Sequence, residues 1–370
     1  MPAAAQAGRN ILLTQIRRPA FGDGPGSRNQ CRYRERTMKK SIRFGTALAL
    51  PLMAMAGAAS ADCGSLSIAS MNWQSAEVLA ELDRFILNEG YGCNAEIVAG
   101  DTVPSITSLV EKGKPEVVPE SWVDLMPEIV DAGLKEEKIV SLGRSLSDGG
   151  QQGWFIPRYM LDEHPNLNKI EEILAHPELF PAPEDASKGA VYNGPQGWGG
   201  TVVTTQLAKA LDIESHGFTL VDTGSAAGLD GSIARAYERK EPWLGFYWEP
   251  TSLLGKYDMV AVDFGMEHDP EEWKRCTSIP DCQDPKPNAF PVDNVFTLVS
   301  KQFADEADPA VIDYLSKRSW TNETVNKLMA WMTDNQATGE DGAREFLRNN
   351  EAMWTPWVTP EAAERIKAAL

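Results

Sequence analysis

A strand–helix alternation that runs, breaks off and starts again is the feature that most constrains this chain. Ser65-Leu-Ser-Ile-Ala-Ser70 predicts a short strand. Glu77 to Asn88 predicts a helix, with Val78, Leu79, Leu82, Phe85 and Ile86 on one face and Gly90 as its stop. Ala95–Val98 is a second strand, Pro104–Lys112 a helix capped by Asp101 or Thr102 and ended by Gly113, and Pro115–Val118 a third strand. Strands alternating with helices build a parallel α/β sheet. The alternation restarts with the strand Ala190–Tyr192, the helix Val202–Leu211, the strand Phe218–Val221, the helix Asp230–Arg239 and the strand Trp243–Tyr247. After Trp248-Glu-Pro250 the texture changes. Met259–Val262 and Val295–Val299 read as strands around a polar, proline-bearing stretch, and helices dominate from Pro309. The pattern predicts two α/β lobes joined by two hinge crossings. The first part of lobe 1 spans 62–150 and lobe 2 spans 151–248. Residues 249–370 return to lobe 1 and add the C-terminal helices.

The N-terminal residues stand outside that fold. Lys39, Lys40 and Arg43 precede the short, mostly apolar run Phe44–Ala58, and Ala59-Ser60-Ala61 follows as a small-residue cleavage site. Residues 38–61 therefore read as a secretory signal peptide, too short to be a membrane span of ~20 residues. Residues 1–37 lie ahead of a signal that works at a chain start, so they read as a mis-annotated leader with Met38 as initiator. Asp62 ahead of Cys63 argues against a lipid anchor. The remaining 309 residues keep 25 of the 35 Lys and Arg and 51 of the 53 Asp and Glu, a net charge of −26. Such a surface excludes nucleic-acid binding through phosphate neutralisation. Cys63, Cys93, Cys276 and Cys282 remain after processing. An even count in an exported chain points to disulfides, with three pairings open, Cys63–Cys93 and Cys276–Cys282 among them. His164, His176, His216 and His268 are not at ligand spacing from a cysteine, so neither a metal nor a cofactor is expected.

In open parallel sheets ligands bind outside the carboxyl ends of the strands. Here those ends carry Met71-Asn72-Trp73, Gly100-Asp101-Thr102 and Glu120-Ser121-Trp122 in the first unit. The second unit carries Asn193, Gln196 and Trp198, then Thr223 and Ser225, then Tyr247-Trp248-Glu249-Pro250. Trp154 lies near the first crossing. One loop tryptophan is as often core as site. Trp73, Trp122, Trp198 and Trp248 all face one predicted cleft, whereas Trp273, Trp320, Trp331, Trp354 and Trp357 fall in helices or the tail and read as packing. A quaternary ammonium has no N–H to donate, and indole faces attract it by roughly 2 kcal/mol per desolvated contact. Asn193, Gln196, Ser225 and helix-leading backbone N–H groups are candidates for its polar end. Glu120 and Glu249 are candidates for negative field or for accepting a hydroxyl proton.

At these residues the sequence resembles the substrate-binding proteins of glycine betaine, proline betaine and choline ABC importers. The resemblance runs from Ser65 into the C-terminal helices. It is carried by Asn72-Trp73, Pro119-Glu-Ser-Trp122, Gly153-Trp-Phe-Ile-Pro157, Tyr192-Asn-Gly-Pro-Gln-Gly-Trp198, Val221-Asp-Thr-Gly-Ser225 and Tyr247-Trp-Glu-Pro250. It implies a type II periplasmic binding fold with aromatic rings boxing a methylated ammonium between the lobes. Trp73, Trp122 and Trp248 are then the principal cage members, with Trp154 and Trp198 as further ones. It also implies a periplasmic monomer that serves an inner-membrane permease with its ATPase and is not itself inserted in the membrane after processing. Members of that family often carry two cysteines in the loop 193–200, where this chain has Gly194 and Gly200. Glu120 and Glu249 suit a betaine carboxylate poorly, which keeps trimethylamine N-oxide and choline beside glycine betaine as ligands.

An exported hydrolase or lyase acting on a methylated amine is the competing class. Gly224-Ser225-Ala-Ala-Gly228 lacks the spacing of a nucleophile elbow, and neither a dinucleotide fingerprint nor a phosphate loop appears. The expectation is a binding protein and not an enzyme, in transport or in ligand sensing.

Overall fold

The computed structural model describes residues 63–370. The expected leader and signal segment lie outside the described residues. The first five-stranded sheet uses β1 (Ser65–Met71), β2 (Asn94–Gly100), β3 (Val117–Trp122), β4 (Ile139–Arg144) and β11 (Val295–Ser300), in the order β2-β1-β3-β11-β4. The second uses β5 (Gly150–Pro157), β6 (Gly189–Asn193), β7 (Phe218–Asp222), β8 (Gly245–Glu249) and β10 (Val292–Asp293), in the order β7-β6-β8-β5-β10, with β9 (Met259–Ala261) paired to β5.

The two orders have the same form. In each sheet three strands run parallel, β1 with β2 and β3, and β6 with β7 and β8. A fourth strand, the first after a crossing, then lies antiparallel beside the third: β11 along β3, and β5 along β8. The sheets are therefore mixed and not purely parallel. The alternation of strands and helices marks only the crossover units; a strand entering from the other lobe carries no such mark.

The first crossing falls between Arg144 and Gly150. The second falls between Asp293 and Val295, because β9 and β10 belong to the second sheet. Lobe 2 thus keeps the chain well past residue 248. The stretch between β8 and β10 is polar and loop-rich, so its sheet membership rests on pairing with β5 and not on pattern.

Strand faces and helix stripes bury one continuous apolar core, from Ile68, Val78 and Leu82 in lobe 1 to Val191, Val203 and Phe246 in lobe 2. The helix Gln74–Phe85 starts three residues earlier than its apolar periodicity and buries Val78, Leu79 and Leu82 as expected. Cys63 pairs with Cys93, tying β1 to β2, and Cys276 pairs with Cys282, six positions further on, in lobe 2. Beneath β3, Asp83 and Arg318 form an ion pair at 2.8 Å, both side chains fully buried. Tyr314 donates its hydroxyl to Asp83 at 2.5 Å, and Arg318 donates to Thr297 at 2.6 Å. Among the described residues no helix is long and apolar enough to cross a membrane.

Candidate ligand-binding site

Four indoles converge where the lobes meet. Trp73 follows β1, Trp122 ends β3, Trp248 lies on β8, and Trp198 leads into the helix Gly199–Ala210. The Trp73 and Trp198 rings meet edge to face with centroids 5.7 Å apart, and Trp198 meets Trp248 the same way at 5.0 Å. Together with Trp122, Thr102, Leu125, Gln152, Gly199, Gly200 and Phe246 they line one void. About 280 Å³ of empty space lies among these residues, its open mouth included.

A buried carboxylate sets two of these rings. Glu120 and Trp122 are two apart on β3 and share a face. Glu120 Oε1 accepts the indole N–H of Trp73 at 2.7 Å, that of Trp122 at 3.1 Å and the Ser75 hydroxyl at 3.0 Å. The side chain is 1% exposed and stands behind the rings. Burial pushes its pKa above the ordinary glutamate range, while the three donors and the nearby Arg318 guanidinium pull it back. Trp198 is fixed from the opposite lobe, where its indole N–H donates to Asn72 at 2.6 Å. The Val103 backbone N–H likewise donates across the cleft to Gly197 O at 3.0 Å. The lobes are closed on each other.

Two glycines permit the close approaches. A Cβ on Gly150, at the head of β5, would stand 2.1 Å from Trp122 Cζ3 and 2.3 Å from its Cη2, so that side of the Trp122 ring lies against bare backbone at the first crossing. A Cβ on Gly200 would stand 2.2 Å from Phe246 Cζ, so the phenyl ring fills the space that a side chain in the 193–200 loop would take.

Several expected site residues sit elsewhere. Trp154 is fully buried and packs edge-on to Phe264, with ring centroids 5.5 Å apart. It shares a face of β5 with Gln152 but lies two residues deeper, roughly 7 Å into the sheet. Glu249 is exposed, because it follows Trp248 along β8 and so points to the other face. Gln196 is exposed on its loop. Asn193 braces the loop, donating to Thr201 O and Thr205 Oγ1 and accepting from the Gly194 N–H. Ser225 caps the helix Ala226–Arg239 by accepting from the Gly228 N–H. The strand-end rule finds the right loops; pleat direction and capping then decide which side chains turn inward. Gln152, Leu125 and Phe246 line the void without any sequence signal of their own. Thr102 was legible only as part of a strand-end loop. Of the tryptophans expected to pack, Trp320 and Trp357 both meet Phe346.

Two mixed sheets with matching strand orders, two crossings and an aromatic void between the lobes define a type II periplasmic binding fold. Two solved structures share it. One is the glycine betaine, L-proline ABC transporter binding protein ProX from Borrelia burgdorferi, 21% identical, with a TM-score of 0.65 over 82% of this chain and 99% of that one. The other is an ABC-transporter choline binding protein in complex with choline, 17% identical, with a TM-score of 0.66 over 83% and 98%. Residues 64–349 match the family described as the substrate binding domain of ABC-type glycine betaine transport system, and the chain belongs to that family. The trimethylamine N-oxide-binding protein of Pelagibacter ubique (strain HTCC1062) is 24% identical over 87% of this chain and all of its own length. The family is one of transport binding proteins, which sets aside the hydrolase or lyase alternative.

Proposed function

We propose that the void captures a compact dipolar methylated ammonium compound, of the glycine betaine or trimethylamine N-oxide kind, for delivery to an ABC importer. The observation that carries this reading is the convergence of four indoles from both lobes on one void. Their negative faces suit a cation that has no hydrogen to donate, and the buried Glu120 behind them holds two of the rings in place through their indole N–H groups. The opposite pole of the ligand has its own partners. Gly199 and Gly200 line the void from the first turn of a 12-residue helix. The N–H groups of such a turn lack intrahelical acceptors and favour negative charge. An oxygen acceptor held close to the ammonium fits both ends at once. The name of the Pelagibacter relative supports the N-oxide member of the pair.

Closure follows from the same geometry. The rings of lobe 1 meet the ammonium first, and closing brings Trp198, Trp248 and the helix turn onto it while expelling water. The closed form is what a membrane permease with its ATPase would recognise. The signal-like segment 38–61 and the two disulfides fit a periplasmic site of action, with the chain acting as a monomer.

Calorimetry with glycine betaine, trimethylamine N-oxide, choline and dimethylsulfoniopropionate tests the reading. At least one of the first two should bind in the micromolar range or tighter and be recovered chemically intact. If none of the four binds, the proposal is wrong. Gly150→Ala gives a second check. A methyl group under the Trp122 ring forces the ring out of place, at an overpacking cost of roughly 1–3 kcal/mol. About tenfold weaker binding is expected in a fluorescence titration, with little change in far-UV circular dichroism.

A further inference from the structure

Gln152 brings a polar side chain to the void from the second sheet, directly across from Trp248 on β8. Its amide nitrogen donates to Asp293 Oδ2 at 2.7 Å. Asp293 is 1% exposed, sits on β10 at the second crossing, and has an Oδ1 without a hydrogen-bond partner. No cation pairs with this carboxyl among the described residues. The charged groups on the neighbouring segments are Asp124, whose Oδ2 accepts from the backbone N–H and the amide of Asn294, Arg144, which donates to Asn294 Oδ1 at 2.6 Å, Asp148, whose Oδ2 accepts from the Asn322 backbone N–H at 2.8 Å, and the exposed Glu249, opposite Gln151 on β8. A buried carboxyl thus lies one hydrogen bond from the ligand space, on a side chain whose two ends are a donor and an acceptor.

Resting on the cage reading above, we propose that Asp293 and Gln152 form a proton-controlled switch that sets which oxygen chemistry the cage accepts. With Asp293 neutral, its O–H donates to the Gln152 carbonyl, and the amide N–H turns toward the ligand. That arrangement suits an oxygen that only accepts, as in a carboxylate or an N-oxide. With Asp293 anionic, the carboxylate takes the amide N–H, and the carbonyl turns toward the ligand. That arrangement suits a hydroxyl donor, as in choline. The proton moves between Asp293 and solvent; Gln152 only reorients. Burial and the Asp124 charge push Asp293 up to about 8, partly offset by the Gln152 hydrogen bond, which places the changeover in an accessible range.

Affinities for glycine betaine, choline and tetramethylammonium, measured by calorimetry between pH 6.5 and 9.5, test the switch. None of the three titrates in that window. The glycine betaine to choline preference should fall about tenfold across it, and choline should gain on tetramethylammonium by a similar factor. Tetramethylammonium separates the switch from plain attraction between a cation and the Asp293 charge, because that attraction strengthens both cations alike. If choline and tetramethylammonium move together, or if both ratios are flat, the switch is overturned while the cage stands. If none of the three binds at any pH while trimethylamine N-oxide does, the switch is overturned and the cage stands; if trimethylamine N-oxide fails as well, the cage falls and the switch with it. In Asp293→Asn the ratios should lose their pH dependence; retention of it overturns the role of Asp293. Folding offers an independent readout. A carboxyl raised in the native state costs no stability below the ordinary aspartate range and increasingly more as pH rises toward about 8. Asp293→Asn should therefore unfold at a higher temperature than the parent at pH 8 and close to it at pH 3.5, and no gain at pH 8 overturns the burial of a neutral acid.

Discussion

Replacing Trp248 by alanine is expected to weaken ligand binding by about thirtyfold while leaving the fold intact. The indole is 7% exposed and meets Trp198 edge-on, with centroids 5.0 Å apart, so its removal opens the void and frees the second-lobe ring. The lost cation–π contact alone corresponds to roughly 2 kcal/mol in a desolvated site, or a little over one order of magnitude in affinity. Trp122→Ala should lose at least as much, since it also leaves Glu120 without one of its two indole donors. Trp331→Ala, in the half-buried helix Asn322–Asn335 away from the void, should bind like the parent. Calorimetry on the three variants decides the matter. Parent-like binding by both cage variants would mean that the ligand sits elsewhere.

The second large effect is on stability. Asp83→Ala should lower the unfolding free energy by roughly 3–5 kcal/mol, the usual cost of stranding one member of a buried ion pair. The Arg318 guanidinium does not give up its proton in proteins, and here it is fully buried with Asp83 at 2.8 Å. The Tyr314 hydroxyl loses its acceptor as well. Replacing both partners, as Asp83→Leu with Arg318→Met, should restore most of the loss, because the cost lies in the unpaired charge and not in missing attraction. The exposed pair Lys327–Glu323, at 2.5 Å, should change stability far less when tested the same way, because water screens it. Urea midpoints at constant slope give each value. If Asp83→Ala and the double variant unfold together, the pair is not what holds that region.

The two effects share one wall. Thr297 accepts from Arg318 at 2.6 Å and donates to Pro119 O at 3.2 Å, one residue before Glu120. The Arg318 charge also lowers the Glu120 pKa. The tryptophans of lobe 1 are thus held by Glu120, which rests on a strand that the buried pair anchors from below. Ligand chemistry on the open side of β3 is built on folding energetics on its closed side.

The sequence was most legible where the signal was local. Apolar residues at helical spacing from Val78 to Ile86 marked a helix that the structure extends by only a few residues at its start. Strand ends marked Trp73, Trp122, Trp198 and Trp248, all of which line the void. The same rule also pointed to Glu249, Asn193 and Ser225, which turn outward, brace a loop or cap a helix. Strand ends are a property of pattern; the direction of a side chain at such an end is a property of pleat and neighbours.

Taken alone, the order of residues decided that this chain forms two α/β lobes with indoles at the mouths of their strands. Periods of two and 3.6 residues and turn-forming glycines act within a few positions of one another, so no distant partner is needed to express them. Only the tertiary structure decided that β5 and β11 enter antiparallel beside the third strand of each sheet, that one carboxylate oxygen of Glu120 ties two indoles 49 positions apart, Trp73 and Trp122, and that Gln152 reaches both the void and Asp293. Each of these is a contact between segments remote in the chain, and its free energy does not exist until the fold has brought them together.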